Sequence, residues 1–227
     1  MLANKVGKQL RHPTYSLTGW LVSKFFKWHN QILEENAVKL CNIQPNDTVL
    51  ELGHGPGFGL QAAAQLLTAP EGKLLGVDYS QYMHEMASQR MKEQISRGKA
   101  VLYCSDLVAM PIEENTVDKV FHCNCYYFWP DLKAGARAIH RVMKPDHFRS
   151  IFSEVHHQCK FQGGTMVTAL RLDSVKKVAS KNMFSGESWR PEVYMETLQS
   201  SGFTDVRMEN KREKLITFQA IFATAVK

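Results

Sequence analysis

The chain has 227 residues, of which 44% are hydrophobic and 22% charged. That size and balance suit one globular α/β domain with a substantial core. No apolar run approaches bilayer length, which argues against a transmembrane segment, and five cysteines without framework spacing argue against a disulfide scaffold. Cys41, Cys104, Cys123, Cys125 and Cys159 therefore read as reduced thiols of an intracellular protein. The net charge of +6 is modest, and its clearest concentration, Lys5, Lys8, Arg11, Lys24 and Lys27, precedes the first acid, Glu34. It reads as a solvated helix face rather than a specific nucleic-acid patch. An acid-free basic start is also the mark of a mitochondrial transit peptide, so the expected compartment is the cytoplasm, with the mitochondrion as the alternative.

In chain order, residues 1–13 are expected to be irregular. An amphipathic helix follows from Ser16, with Leu17, Trp20, Leu21, Phe25 and Trp28 at three- and four-residue steps, and then a second helix, Gln31 to Cys41. Together they form an N-terminal helical cap, residues 1–44. The turn chemistry of Gln44-Pro45-Asn46-Asp47 leads into an apolar strand, Val49 to Leu52. Glycines at alternate positions follow, Gly53, Gly55, Gly57 and Gly59, and a helical pattern begins at Leu60. Strand, glycine turn and helix are the parts of a nucleotide site in an open α/β sheet.

Leu74 to Asp78 is a second strand ending in an acid, Val101 to Asp106 a third of the same form, and Val117 to Asn124 a fourth. Ser80 is placed to cap a helix over Gln81–Gln94, and Asp131 to start another over Leu132–Val142. Beyond Lys144-Pro145 the pattern is interrupted. Residues 146–162, with His147, His156, His157 and Cys159, read as an exposed insertion or a retained intron before strand five, Thr165 to Leu172. Their His and Cys show no recurring ligand-pair spacing, so no metal is expected. A part-helical segment, Asp173 to Gly186, a helix, Pro191 to Ser201, and two strands, Thr204–Glu209 and Thr217–Ala225, joined by the charged Asn210–Lys214, complete the chain.

The pieces ELGHGPGFG, GVDYSQYM, CSDLVAMPIEENTVDKVF and YFWPDLKAGARAIHRVMKP stand in order over residues 45–145. In that order the chain resembles the class I S-adenosylmethionine-dependent methyltransferases, and within them the small-molecule and quinone-type enzymes. The resemblance implies a Rossmann-like α/β fold. Its seven-stranded sheet would have order 3-2-1-4-5-7-6, the last strand antiparallel and helices on both faces, in one domain spanning 45–227. It implies S-adenosyl-L-methionine as cofactor. Glu51 would help hold the loop and the methionine end, and Gly53, Gly55 and Gly57 would contact the methionine and adenosine parts. Asp78 would take the ribose hydroxyls, and Asp106 with the Leu107 N–H the adenine, while Tyr79, Ser105 and Asn124 are further expected cofactor contacts. An acid at a strand's end can instead be an ordinary helix cap.

Methyl transfer from a sulfonium needs alignment more than acid–base chemistry. No fixed catalytic residue is therefore implied, and Asn124, Tyr126, Tyr127 and His54 are the candidates. The expected acceptor is a small, partly apolar molecule, with no specific nucleic acid. A nucleic-acid or protein methyltransferase is the alternative, although Asn124-Cys125-Tyr126-Tyr127 lacks the prolines of Asn-Pro-Pro-Tyr. A nicotinamide-dependent oxidoreductase would rest on Gly57, Gly59, Ala62 and Asp78, with Phe58 spoiling the register that starts at Gly53. A non-catalytic binding protein is the remaining alternative.

Overall fold

Along the central strands, successive side chains go to opposite faces of a sheet, and here both faces are apolar. Val49, Phe121, Val167 and Ala220 bury on one side. Leu50, Val120, Met166 and Ile221 bury on the other. A sheet with two apolar faces must be covered twice, and the helices do so. The computed structural model describes residues 14–16, 30–145, 163–181, 184 and 186–227. The expected N-terminal helix with Trp20, Phe25 and Trp28, and residues 146–162, lie outside them.

A helix over residues 30–40 (α1) leads into β1, Thr48–Leu52. Then come α2, Phe58–Ala64, β2, Lys73–Asp78, α3, Gln81–Arg90, α4, Lys92–Ser96, and β3, Ala100–Cys104. The second half holds β4, Lys119–Cys123, α5, Leu132–Val142, β5, Thr165–Leu170, α6, Leu172–Ala179, α7, Pro191–Gln199, β6, Phe203–Glu213, and β7, Ile216–Ala225. The sheet order is β3-β2-β1-β4-β5-β7-β6, as the resemblance implied. β1 to β5 pair in parallel, and β7 runs antiparallel to both neighbours. Apolar residues of α1, α2 and α3 cover one face; those of α5, α6 and α7 cover the other.

The expected caps are in place. Ser80 Oγ accepts the Met83 N–H, and Asp131 Oδ1 accepts that of Ala134. Three of the differences from the sequence reading have a clear physical cause. The charged Asn210–Lys214 is not a connector: β6 runs through Glu213, and only Lys214-Leu215 turn, with Lys214 at φ 55°. Alternation puts its charges on an exposed edge, where Arg207 lies over the Phe222 ring, 4.6 Å from its centre; charge on an edge strand also discourages stray pairing. The helix expected over Gln81–Gln94 breaks at the buried Met91. Strand three ends at Cys104, because Asp106 turns away to cap a short 3-10 turn, Leu107–Ala109.

The strand order reverses between β1 and β4, where the chain crosses from one side of β1 to the other. In open α/β sheets a ligand lies outside the C-terminal ends of the strands at such a switch point. The glycine turn after β1 and Asn124-Cys125 after β4 are the two lips of that crevice.

Candidate cofactor site

The turn leaves β1 by doubling back. Gly53 takes φ 61°, donates its N–H to Val77 O at 2.8 Å, and is exposed toward the crevice. A side chain there would be strained at that φ and would meet Cys125. Gly59 is glycine for another reason: it lies inside α2, and a Cβ would collide with the Glu51 carboxylate.

Charged side chains hold this turn from several sides. Asp78, at the end of β2, accepts the Gly55 N–H through Oδ2 and the Ser80 N–H through Oδ1, both at 2.8 Å. Arg90 of α3 donates Nε–H to Pro56 O at 2.8 Å and lies over the Phe58 ring, 3.8 Å from its centre. The first turn of α2 has no capping side chain from its own N-cap, Gly57. Two acids lie near it instead: the Glu51 carboxylate packs against Gly59, and the nearby Leu60 and Gly59 N–H groups favour the ionised forms of Glu51 and of Glu34 of α1, respectively. Both acids are buried, and Oε2 of each has no hydrogen-bond partner among the described residues. Burial drives both carboxyl groups up, Glu34 to about 8, and the Glu34 charge pushes Glu51 the same way.

At the ends of β2 and β3 the crevice is more open. Tyr79 is exposed beside Asp78. Ser105 N–H donates to Asp78 O at 3.0 Å, and Ser105 Oγ donates to Asp106 O at 3.1 Å. Asp106 Oδ1 accepts the Val108 N–H at 2.9 Å, so it serves as a cap as well as an acid at the rim. Leu107 is half-buried on the same turn.

The candidates for acid–base work are placed differently from expectation. Tyr126 is fully buried, stacked on Tyr194 with ring centres 4.2 Å apart, and donates its hydroxyl to Trp189 O. Tyr127 is buried as well. Both phenols are pushed up, chiefly by burial. His54 does not face solvent: it is fully buried, Nδ1 sits 2.9 Å from Gly55 O, and burial pushes its pKa down. Asn124, at φ 51°, donates Nδ2–H to Asn30 and accepts the Arg171 N–H. It joins three elements at the crevice lip.

Sequence reasoning missed Glu34, Arg90 and the pair Cys125–His122. Cys125 Sγ is 3.3 Å from His122 Nδ1, and His122 Nε2 lies 2.9 Å from Tyr194 Oη and 2.8 Å from Thr168 Oγ1. Burial lowers His122 to about 3 and raises the Cys125 thiol, so this is a neutral thiol–imidazole pair, not a thiolate–imidazolium one. The missed signal for Glu34 was an acid on the helix stripe that also carries Ala37, Val38 and Cys41, all buried.

The glycine turn, the acids at or near the ends of β1, β2 and β3 and the sheet order belong to a Rossmann-like fold that solved methyltransferases share. A Haloferax volcanii methyltransferase solved with the Trm112 methyltransferase activator superposes with a TM-score of 0.70 at 16% identity, covering 90% of this chain and 94% of that one. A geranyl diphosphate methyltransferase solved with SAM gives 0.63 at 14% identity, over 86% and 85%.

Residues 49–146, a stretch that begins in β1, match the family described as Methyltransferase domain. Among curated proteins it is similar to the uncharacterized methyltransferase YdaC of Bacillus subtilis (strain 168), 31% identical over 116 residues, which are 51% of this chain and 61% of that protein. It is also similar to the demethylmenaquinone methyltransferase of Symbiobacterium thermophilum, 28% identical over 120 residues, 52% of this chain and 45% of that protein. The aligned part is thus about half to three-fifths of these relatives' length.

Proposed function

We propose that this protein transfers the methyl group of S-adenosyl-L-methionine to a small, partly apolar acceptor. The observation that carries the cofactor choice is the occupancy of the α2 N-terminus. A dinucleotide site places pyrophosphate on those N–H groups. Here the buried Glu51 carboxylate already lies against Gly59 in that first turn, and Glu34 is near enough for its charge to raise Glu51. Phosphates brought to buried acids would be repelled. A cofactor with no phosphate and a cationic methionine end suits the same surroundings.

In this reading Gly53, Gly55 and Gly57 let the backbone pass beneath the methionine end, next to Glu51. Asp78 keeps lone pairs for the ribose hydroxyls after holding Gly55 and Ser80, and Tyr79 covers that side. Asp106, with Ser105 and the Leu107 N–H, takes the adenine edge. Asn124 sets the lip across from the turn. The bound cofactor supplies an already activated methyl group. The chain's task is then to fix the turn, align the acceptor and keep water out. Burial of Tyr126, Tyr127 and His54 removes them from direct proton transfer, and a general base is needed only for an acceptor that keeps its proton. The quinone-type relative supports a small acceptor. Residues 1–44 act as the cap over the acceptor and 146–162 as an insertion. The residues flanking that insertion, Pro145 and Gly163, stand at the opposite edge from Gly53.

The test is product identification by mass spectrometry, using labelled cofactor and an extract of small metabolites. A labelled small, partly apolar product is the expected result. Label found only in RNA or protein would favour the nucleic-acid or protein reading.

A further inference from the structure

The last two strands outrun the rest of the sheet. β5 pairs with β7 only from Gln219 onward, whereas β6 pairs with β7 out to Glu213 and Ile216. The end of the hairpin is therefore a two-stranded ribbon, an arrangement of marginal stability in water. β6 also ends the sheet, and β7 is the one strand paired with it among the described residues. Its outer edge offers a row of backbone donors and acceptors to another strand. The two-residue turn, Lys214-Leu215, is closed by the pair Glu213 and Ile216, which hydrogen-bond to each other in such a turn. Backbone direction alternates along a strand, so Arg207, Glu209 and Lys211 also face β7, and Met208, Asn210 and Arg212 point their N–H and C=O groups outward.

The side chains on one face of this edge alternate in sign: Arg207, Glu209, Lys211, Glu213. Glu209 carries an ion pair to each neighbour, with Arg207 at 3.1 Å and Lys211 at 2.6 Å. A bulge between Thr204 and Arg207 ends the regular edge, which leaves residues 207–213 with Asn210 at their midpoint. An antiparallel second copy centred on Asn210 sets Arg207 opposite Glu213 of that copy and Glu209 opposite its Lys211. Centring on Glu209 would set like charges together, and centring on Met208 would run the pairing into the bulge. Directly opposed charges of opposite sign favour a strand pair and like charges disfavour it. The edge thus rejects most strands and suits its own copy.

We propose that two copies of this chain pair antiparallel along β6, centred on Asn210, and join their sheets across a two-fold axis. β6 lies three places from β4 in the sheet, so the crevice between β1 and β4 stays open in each copy. The proposal does not depend on the function proposed above.

Sedimentation velocity of the full chain at low salt tests this. A contact along one short strand belongs to the small, transient class of interfaces, so wild type should pass from monomer to dimer at roughly tens of micromolar. Glu209→Lys and Lys211→Glu each oppose like charges in a pair of identical copies and should weaken self-association roughly tenfold or more. Mixed in equal amounts, the two variants meet with opposite charges, and the mixture should regain a dimer that neither forms alone. Amide exchange in wild type gives a second reading: the N–H groups of Met208, Asn210 and Arg212 should exchange several-fold more slowly as concentration rises through the dimer range. A wild type that stays monomeric at roughly ten times that concentration, or exchange at those amides independent of concentration, would overturn the proposal. So would a dimer that both substitutions leave intact, or a mixture of folded variants that stays monomeric.

Discussion

The two ends of the parallel strands carry similar numbers of charges and treat them in opposite ways. At the N-terminal edge, charges are paired or tied to the backbone. Lys144 Nζ donates to both oxygens of Asp118, at 2.8 and 2.7 Å, and Asp118 also accepts the Thr48 N–H. The nearly buried Lys119 donates to Thr165 Oγ1 at 3.0 Å, and Asp47 accepts the Gln44 N–H. A cavity of about 380 Å³ opens among these residues, but its two aspartates and two lysines face one another. At the C-terminal edge stand Glu34, Glu51, Asp78 and Asp106, and among the described residues Arg90 is the cation near Glu34. Unpartnered oxygens point to the end where the glycine turn lies.

Substitutions at the two edges should therefore have separable consequences. The largest effect is expected from Gly59→Ala, whose Cβ would displace the Glu51 carboxylate and spoil both the α2 terminus and the turn. Cofactor binding should be lost and the melting temperature lowered. Gly55→Ala has open space around it and only the positive φ to contend with, so it should cost about 1 kcal/mol. Asp78→Ala strands the Gly55 and Ser80 N–H groups. It should weaken cofactor binding by roughly 1–3 kcal/mol by calorimetry in a folded variant.

Asp118→Ala is the counterpart at the other edge. It should lower stability in urea by about 1–2 kcal/mol and leave cofactor affinity unchanged. Altered affinity there would break the separation of the two edges.

The last difference is one of pH. Glu34 has its folded pKa raised from 4.5 to about 8. The stability it contributes is therefore full below its unfolded pKa and lost as pH rises through the folded one. The cofactor-free protein should melt at falling temperature across that window, and Glu34→Gln should remove most of the fall.

Much of this architecture was legible in the sequence, because strands buried on both faces read as plain apolar runs and the glycines and acids stand at their ends. Val49–Leu52 and Leu132–Val142 came within a residue of their observed bounds for that reason. The misses have physical causes. Asn210–Glu213 reads as a loop by composition, but cross-strand pairing with Ile216–Gln219 makes it strand. Tyr126 and Tyr127 read as cleft aromatics, but a 3-10 turn after Cys125 rolls them into the core against Tyr194 and Phe184. Glu34 was hidden because a carboxylate on an apolar stripe gives no sign, in sequence, of the Gly59 backbone and the Arg90 charge that stand near it across the fold.

The central claim is that the glycine turn and its acids hold a phosphate-free, cationic cofactor. Thermal unfolding of the full chain with and without ligand tests it most directly, since a native-state ligand raises the melting temperature. S-adenosylmethionine and S-adenosylhomocysteine should each raise it, while NADH leaves it unchanged. A rise with NADH and none with S-adenosylmethionine would contradict the account.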